Sequence, residues 1–145
     1  MSLKFISIIA TAALIAAAVA LLMRHAVMGT GPVSLALQLA GLLLVAWARI
    51  TFGVRSFHCA ANPTRGPLIT TGPYRCIRNP IYAAGLLVVL PGVAEHWSWI
   101  NGLLALVIVA TLAIKIFCEE ELLRAAYPEY QEYARKTKRV VPFVI

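Results

Sequence analysis

Two stretches without a single Asp, Glu, Lys or Arg, Phe5 to Met23 and Trp97 to Ile114, limit this chain more than any other feature. Each approaches the roughly 20 apolar residues needed to cross the hydrocarbon core of a bilayer. In lipid every backbone N–H and C=O must find its partner within the protein, and a helix achieves this segment by segment. Two transmembrane helices follow. Pro32 to Ala48 is nearly as long, and Ile50 to Phe52 extend it past Arg49, whose long side chain can snorkel to the interface. Ile81 to Ala94 is shorter, about 21 Å if wholly helical, but Trp97 and Trp99 just beyond it suit an interfacial belt. The expected fold is an all-α, polytopic transmembrane helical bundle of about four spans. These fall near residues 5–23, 33–52, 80–95 and 97–118, within one domain covering 1–145. Composition agrees, with 61% hydrophobic and 13% charged residues against roughly 25% charged in soluble domains. A secretory signal is the competing reading of the first stretch. That stretch is long for a signal's apolar region, lacks a clear small-residue cleavage site and is followed by further spans.

The basic residues orient the bundle. With the N-terminus inside, the cytoplasmic face receives Lys4, Arg49, Arg55, Arg65, Arg75, Arg78, Lys115, Arg124, Arg135, Lys136, Lys138 and Arg139, and only Arg24 lies outside. This asymmetry predicts both termini and the polar face in the cytoplasm, with the cell inner membrane as the expected location. The formal charge of +7 is then accounted for by anionic headgroups. No nucleic-acid-binding module is recognisable, so nucleic acid is not an expected partner. Cys59, Cys76 and Cys118 form no CxxC pair and are read as free thiols. His25, His58 and His96 are scattered without ligand spacing, so no metal site is expected.

Two polar insertions carry the remaining information. In the first, from Gly53 to Asn79, Pro63, Gly66, Pro67, Gly72 and Pro73 argue against a continuous helix, and loops of this length are uncommon unless they work or are disordered. The second follows Ile116. There Glu119, Glu120, Leu123 and Tyr127 recur at helical spacing, so span four is expected to continue into the cytoplasm until Pro128. The link from Glu95 to Ser98 is short enough to force spans three and four antiparallel. The segment GPYRCIRNPIY and the carboxylates of Glu119, Glu120 and Glu121 must then be neighbours. Lys115 with Glu119, and Glu120 with Arg124, have the spacing of ordinary surface pairs, each contributing about 0.2–0.5 kcal/mol. A carboxylate facing the bundle would instead need a partner or a ligand.

The order LITTGPYRCIRNPIY, a short hairpin, EEELL and YPEYQEYARKTKRVVPF resembles the isoprenylcysteine carboxyl methyltransferase and phospholipid methyltransferase family of integral membrane enzymes. The resemblance covers about residues 68–143 and leaves spans one and two without a motif. Gly72, Tyr74 and Arg75 fall on the family's GxYR, and Arg78, Pro80 and Tyr82 on its RHPxY. Glu119, Glu120 and Leu123 fall on EExxL, and Tyr130, Tyr133, Arg139 and Pro142 on its tail. Asn79 stands where the family usually has His; it can hydrogen-bond but cannot titrate near neutral pH.

The resemblance implies a methyltransferase that uses S-adenosylmethionine and a lipophilic acceptor, either the carboxylate of a prenylcysteine-like compound or a lipid amine. Carried over residue by residue, it assigns cofactor binding to Gly72, Tyr74, Arg78, Asn79, Pro80, Tyr82, Glu119 and Leu123, and catalysis to Glu120, Arg139 and Arg75. Such a donor asks for a cation from Arg75 or Arg78, an anion from Glu119 or Glu120, and an apolar slot beside Tyr82. Transfer from a sulfonium is an in-line displacement that positioning and desolvation can promote. A carboxylate acceptor needs orienting, for which Arg139 offers a bidentate contact, whereas an amine needs a base, for which Glu120 is the candidate. Tyr130 and Tyr133 are expected to anchor the tail at the interface. The competing functions are an NADPH-dependent reductase related to the sterol reductases, a small drug exporter and a non-catalytic membrane protein. The exporter would need an acidic residue in mid-span, and the spans have none.

Overall fold

The computed structural model describes residues 3–53 and 68–140. The sequence features at Arg55, His58, Cys59, Pro63, Arg65, Gly66, Pro67, Pro142 and Phe143 lie outside the described residues. Among the described residues five α-helices run in order: α1 (Leu3–Met23), α2 (Pro32–Phe52), α3 (Pro80–Glu95), α4 (Trp99–Ala126) and α5 (Tyr130–Lys136), with a 3-10 turn at Gly72–Arg75. Among the described residues there is no β-strand, only an isolated parallel bridge between Ile77 and Lys138.

Helix α1 packs along α4, α2 packs along α3, and α3 meets α4 over a smaller area. Ala17 and Leu21 of α1, Ala26 and Val27 of the following link, Val93 of α3, and Ala105, Ile108 and Leu112 of α4 form the common core. That core is small because the outward faces are apolar too. Ile8, Ile15, Leu22, Leu39, Leu43, Ile50, Leu103, Leu106 and Phe117 all stand exposed, an arrangement that would precipitate a soluble protein and that lipid satisfies. Helices α1, α2 and α4 are each long and apolar enough to span a membrane. Helix α3 has 16 residues, about 24 Å, and is the short member of the bundle.

The helix limits follow the sequence. Pro32 and Pro80 occupy first-turn positions of α2 and α3, where the missing N–H costs no helix bond. Ser98 caps α4 by accepting from Asn101 N at 3.1 Å, and α4 stops at Ala126, just before Pro128. Gly92 lets α3 touch the link after α1: a Cβ there would lie 1.9 Å from the Val27 carbonyl oxygen. At this end of the bundle Arg24 Nε donates to Asn101 Oδ1 at 2.5 Å, and Glu95 accepts from the backbone N–H groups of Thr30 and Gly31 at 2.7 and 3.0 Å.

The disparity in length between α3 and α4, 16 residues against 28, positions the polar end. Joined by the tight link at His96–Ser98, the two helices run antiparallel, so α3 begins beside Glu119 and Glu120 while α4 continues to Ala126. At this end the 3-10 turn packs on α2 and α5 packs on α4.

Candidate functional site

The chain returns to the start of α3 from its far end. Lys138 N donates to the Cys76 carbonyl at 3.1 Å, Arg78 N to the Lys138 carbonyl at 2.7 Å, and Asn79 N to the Arg139 carbonyl at 3.0 Å. This backbone ladder sets Arg78 and Arg139 side by side although they are far apart in sequence. The 3-10 turn is fixed from below: Gly72 has φ +57°, and a Cβ there would collide with Thr51 of α2. The ring of Tyr74 lies 5.6 Å from that of Phe52.

Glu120 is the centre of an ion cluster. Its Oε1 accepts from Arg78 Nε at 3.1 Å and from Asn79 Nδ2 at 3.5 Å, and its Oε2 accepts from Arg139 Nε at 3.2 Å, with Arg124 at 3.8 Å. The side chain is 3% exposed. Arg78 Nη1 also donates to the carbonyls of Ala134 and Thr137 at 2.7 and 2.5 Å, so one guanidinium ties α3, α4 and the α5 end together. A buried carboxylate is tolerated only with such company.

Glu119, its sequence neighbour, is held differently. Its Oε1 accepts a short hydrogen bond from the Tyr82 hydroxyl, and Lys115 Nζ stands 3.8 Å from the same oxygen. Its Oε2 accepts no hydrogen bond among the described residues, and the side chain is 27% exposed. The two glutamates therefore differ in kind: Glu120 is enclosed by donors on both oxygens, and Glu119, partly exposed, has one oxygen without a hydrogen-bond donor among the described residues.

An apolar groove of about 580 Å³ runs between α2 and α3, lined by Leu37 and Leu44 on one side and Ala83, Leu87 and Pro91 on the other. Its end nearest the ion cluster is formed by Ile77 and Val140, the sequence neighbours of Arg78 and Arg139. The groove and the ion cluster thus adjoin.

The expected residues divide cleanly. Arg78, Asn79, Glu120 and Arg139 form one hydrogen-bonded group, and Tyr82 and Glu119 form a second beside it. Pro80 is buried at the start of α3, and Leu123 is half-buried one turn beyond Glu119. Gly72 and Tyr74 brace the turn. Arg75 is exposed and, among the described residues, makes no ion pair with either glutamate.

Two expectations change. Tyr130 and Tyr133 are not interfacial anchors. Tyr130 is 1% exposed, its ring packs on that of Tyr133, and Tyr133 donates to the Tyr74 carbonyl at 2.7 Å. The cause is the backbone ladder, which folds α5 over the cluster instead of along the membrane. Burial, with the negative charge of Glu120 adding to it, pushes the Tyr130 phenol up to about 12. Lys115 with Glu119 is not a solvated pair, because Lys115 is 6% exposed and donates to Thr11 Oγ1 at 2.9 Å. The same ladder brings Arg139 to the α3 entrance, where it meets Arg78 through Glu120. No side-chain pattern announces a backbone ladder, which is why the sequence hid this last arrangement.

The comparisons with known proteins agree with this architecture. The phospholipid methyltransferase family profile matches residues 30–130. The chain is similar to the cobalt-zinc-cadmium resistance protein CzcN of Cupriavidus metallidurans, 36% identical over 76 residues, covering 52% of this chain and 35% of that protein. It is similar as well to the nickel-cobalt-cadmium resistance protein NccN of Alcaligenes xylosoxydans xylosoxydans, 33% identical over 76 residues, covering 52% and 36%. The match thus spans about a third of the length of these curated relatives. No solved structure matches. With the family match running from the start of α2 to the start of α5 in an all-helical bundle built for lipid, the chain belongs to the phospholipid methyltransferase family of membrane methyltransferases.

Proposed function

We propose that this protein transfers a methyl group from S-adenosylmethionine to a lipophilic acceptor, with the donor held at the Glu119 end of the polar cluster and the acceptor's hydrocarbon in the groove between α2 and α3. The observation that carries the reading is the open Oε2 of Glu119 beside a saturated Glu120. An ammonium needs an anionic acceptor that is oriented and not already satisfied, and Glu119 is that group. Arg78 has Nη2 without a hydrogen-bond partner among the described residues, so it can receive a carboxylate while staying anchored through its other nitrogens. The Asn79 side chain donates twice through Nδ2, which leaves its amide oxygen for an adenosyl hydroxyl or amine. Tyr82, Pro80 and Leu123 supply apolar wall, Gly72 and Tyr74 keep the loop in place, and Arg75 adds positive potential at the entrance.

S-adenosylmethionine supplies an electrophilic methyl on a sulfonium, whose charge is lost as the methyl departs. The chain's own part is to align the acceptor and exclude water. Both oxygens of Glu120 are already engaged by Arg78, Asn79 and Arg139, so neither is presented to an acceptor amine, and the geometry favours an acceptor that is already anionic. Arg139 fits the orienting role. It is held by Nε to Glu120 and half-exposed at the groove's end, and its terminal nitrogens have no hydrogen-bond partner among the described residues.

The test is to incubate the detergent-solubilised protein with methyl-labelled S-adenosylmethionine and a bacterial lipid extract. Label should pass into an organic-soluble product. No transfer, together with acceptor-dependent oxidation of NADPH, would replace this reading with the reductase one. The same reading puts both termini and the cluster in the cytoplasm, supported by the basic asymmetry of the sequence, which assigns twelve Lys and Arg residues to that side and one to the other. A reporter fused after Ile145 should then be cytoplasmic and one inserted at Trp97 should not; finding both on one side would contradict the topology.

A further inference from the structure

Helix α1 carries no family motif, yet it reaches the candidate site through one buried lysine. Resting on the reading of Glu119 as the donor's anionic partner, we propose that Lys115 is a positioning residue. Seated on Thr11 of α1, its ammonium holds Glu119 Oε1 in place so that Oε2 is presented to the donor.

The chain of contacts has a fixed direction. Thr11 Oγ1 donates its single proton to the Ser7 carbonyl at 2.8 Å, so toward Lys115 it can only accept, and Lys115 Nζ donates to it at 2.9 Å. Lys115 Nζ lies 3.8 Å from Glu119 Oε1, beyond a hydrogen bond but well within ion-pair range. The Tyr82 hydroxyl approaches that same oxygen from α3. One carboxylate oxygen is thus constrained from α1, α3 and α4, while the other is left open.

A merely structural role for Lys115 fits these observations less well. A lysine whose only task was to join α1 to α4 would leave a buried charge in the bundle that any aliphatic side chain could replace at lower cost. Here the ammonium sits one helical turn from the acidic pair, on the oxygen that the donor would not use. Removing it leaves Glu119 with a phenol as its sole described partner and no nearby cation to fix the plane of the carboxylate. Thr11 has no chemistry of its own in this scheme, and acts by keeping the lysine from swinging out to the interface.

The experiment is a titration of S-adenosylmethionine against the purified protein in detergent. It compares wild type, Lys115→Met, Lys115→Arg, Thr11→Val, Glu119→Gln and the two double variants on the Glu119→Gln background. Lys115→Met should weaken binding about tenfold and Thr11→Val less, Lys115→Arg should restore most of it, and neither substitution should weaken binding further once Glu119 is Gln. That loss of effect is what a general structural role would not produce, because damage to the α1–α4 contact would persist in every background. Thr11→Val keeps the side-chain shape and reports even if Lys115→Met does not fold. Binding by Lys115→Met and Thr11→Val equal to wild type, or losses that multiply with Glu119→Gln, would overturn the assignment and leave the Glu119 reading standing. A wild type that binds no donor would contradict the Glu119 reading, and the role of Lys115 would fall with it.

Discussion

The two ends of this bundle use the same residue types to different effect. At the end near the α1–α2 link, Arg24 is bonded to Asn101, and Glu95 accepts from the backbone of Thr30 and Gly31. Those side chains close the entrance to α2 and the link between α3 and α4, as caps and clasps do in any helical protein. At the end near α5, Arg78 and Glu120 also clasp, but beside them, among the described residues, one oxygen of Glu119 and the terminal nitrogens of Arg139 have no hydrogen-bond partner, and an apolar groove lies close by. Ion pairs alone do not mark a site. An organised cluster with donors and acceptors left over is what the proposed donor site rests on.

The sharpest way to break the comparison is Arg78→Ala. It strands a buried carboxylate and the carbonyls of Ala134 and Thr137, and should lower stability by about 3–5 kcal/mol, read as the thermal midpoint in detergent, with donor binding lost as well. Glu120→Gln should follow, since it keeps hydrogen-bonding atoms but removes the anion between Arg78 and Arg139. A loss of about 2–4 kcal/mol is expected, and an unchanged midpoint would mean the cluster is not the clasp described above. Arg139→Lys retains charge and loses the planar fork. Donor affinity should stay near wild type while turnover falls about tenfold, the size of one charge-assisted hydrogen bond. Full turnover would reduce Arg139 to general positive charge at the headgroups. The smallest effect belongs to the opposite end: Arg24→Ala should cost about 0.5–1.5 kcal/mol and leave methyl transfer intact. A loss of transfer there would erase the distinction between the two ends.

The parts of this architecture legible in the sequence were those with a periodic or excluded signal. Charge-free runs marked α1 and α4, Pro80 and Pro128 marked helix limits, and the short link at Glu95–Ser98 was enough to bring Arg78 to Glu120. The separate characters of Glu119 and Glu120 were not legible, because adjacent positions on a helix differ only by rotation and the neighbouring helices decide which is enclosed. Lys115 was misjudged for a related reason: spacing of i, i+4 to a glutamate is the same on a wet face and a buried one, and only the approach of Thr11 from α1 separates them. The burial of Tyr130 depended on the bridge between Ile77 and Lys138, whose contacts are between backbone atoms and leave no trace in side-chain pattern.

Equilibrium binding of S-adenosylmethionine to the purified protein in detergent, compared between wild type and Glu119→Gln, tests the central claim most directly. Saturable binding by wild type is expected, weakened about tenfold to a hundredfold in Glu119→Gln with the thermal midpoint nearly unchanged, because the Gln amide oxygen still accepts the hydrogen bond from Tyr82 that joins α4 to α3. No binding by wild type, or equal affinity in the two proteins, would contradict the assignment of this end of the bundle as the donor site.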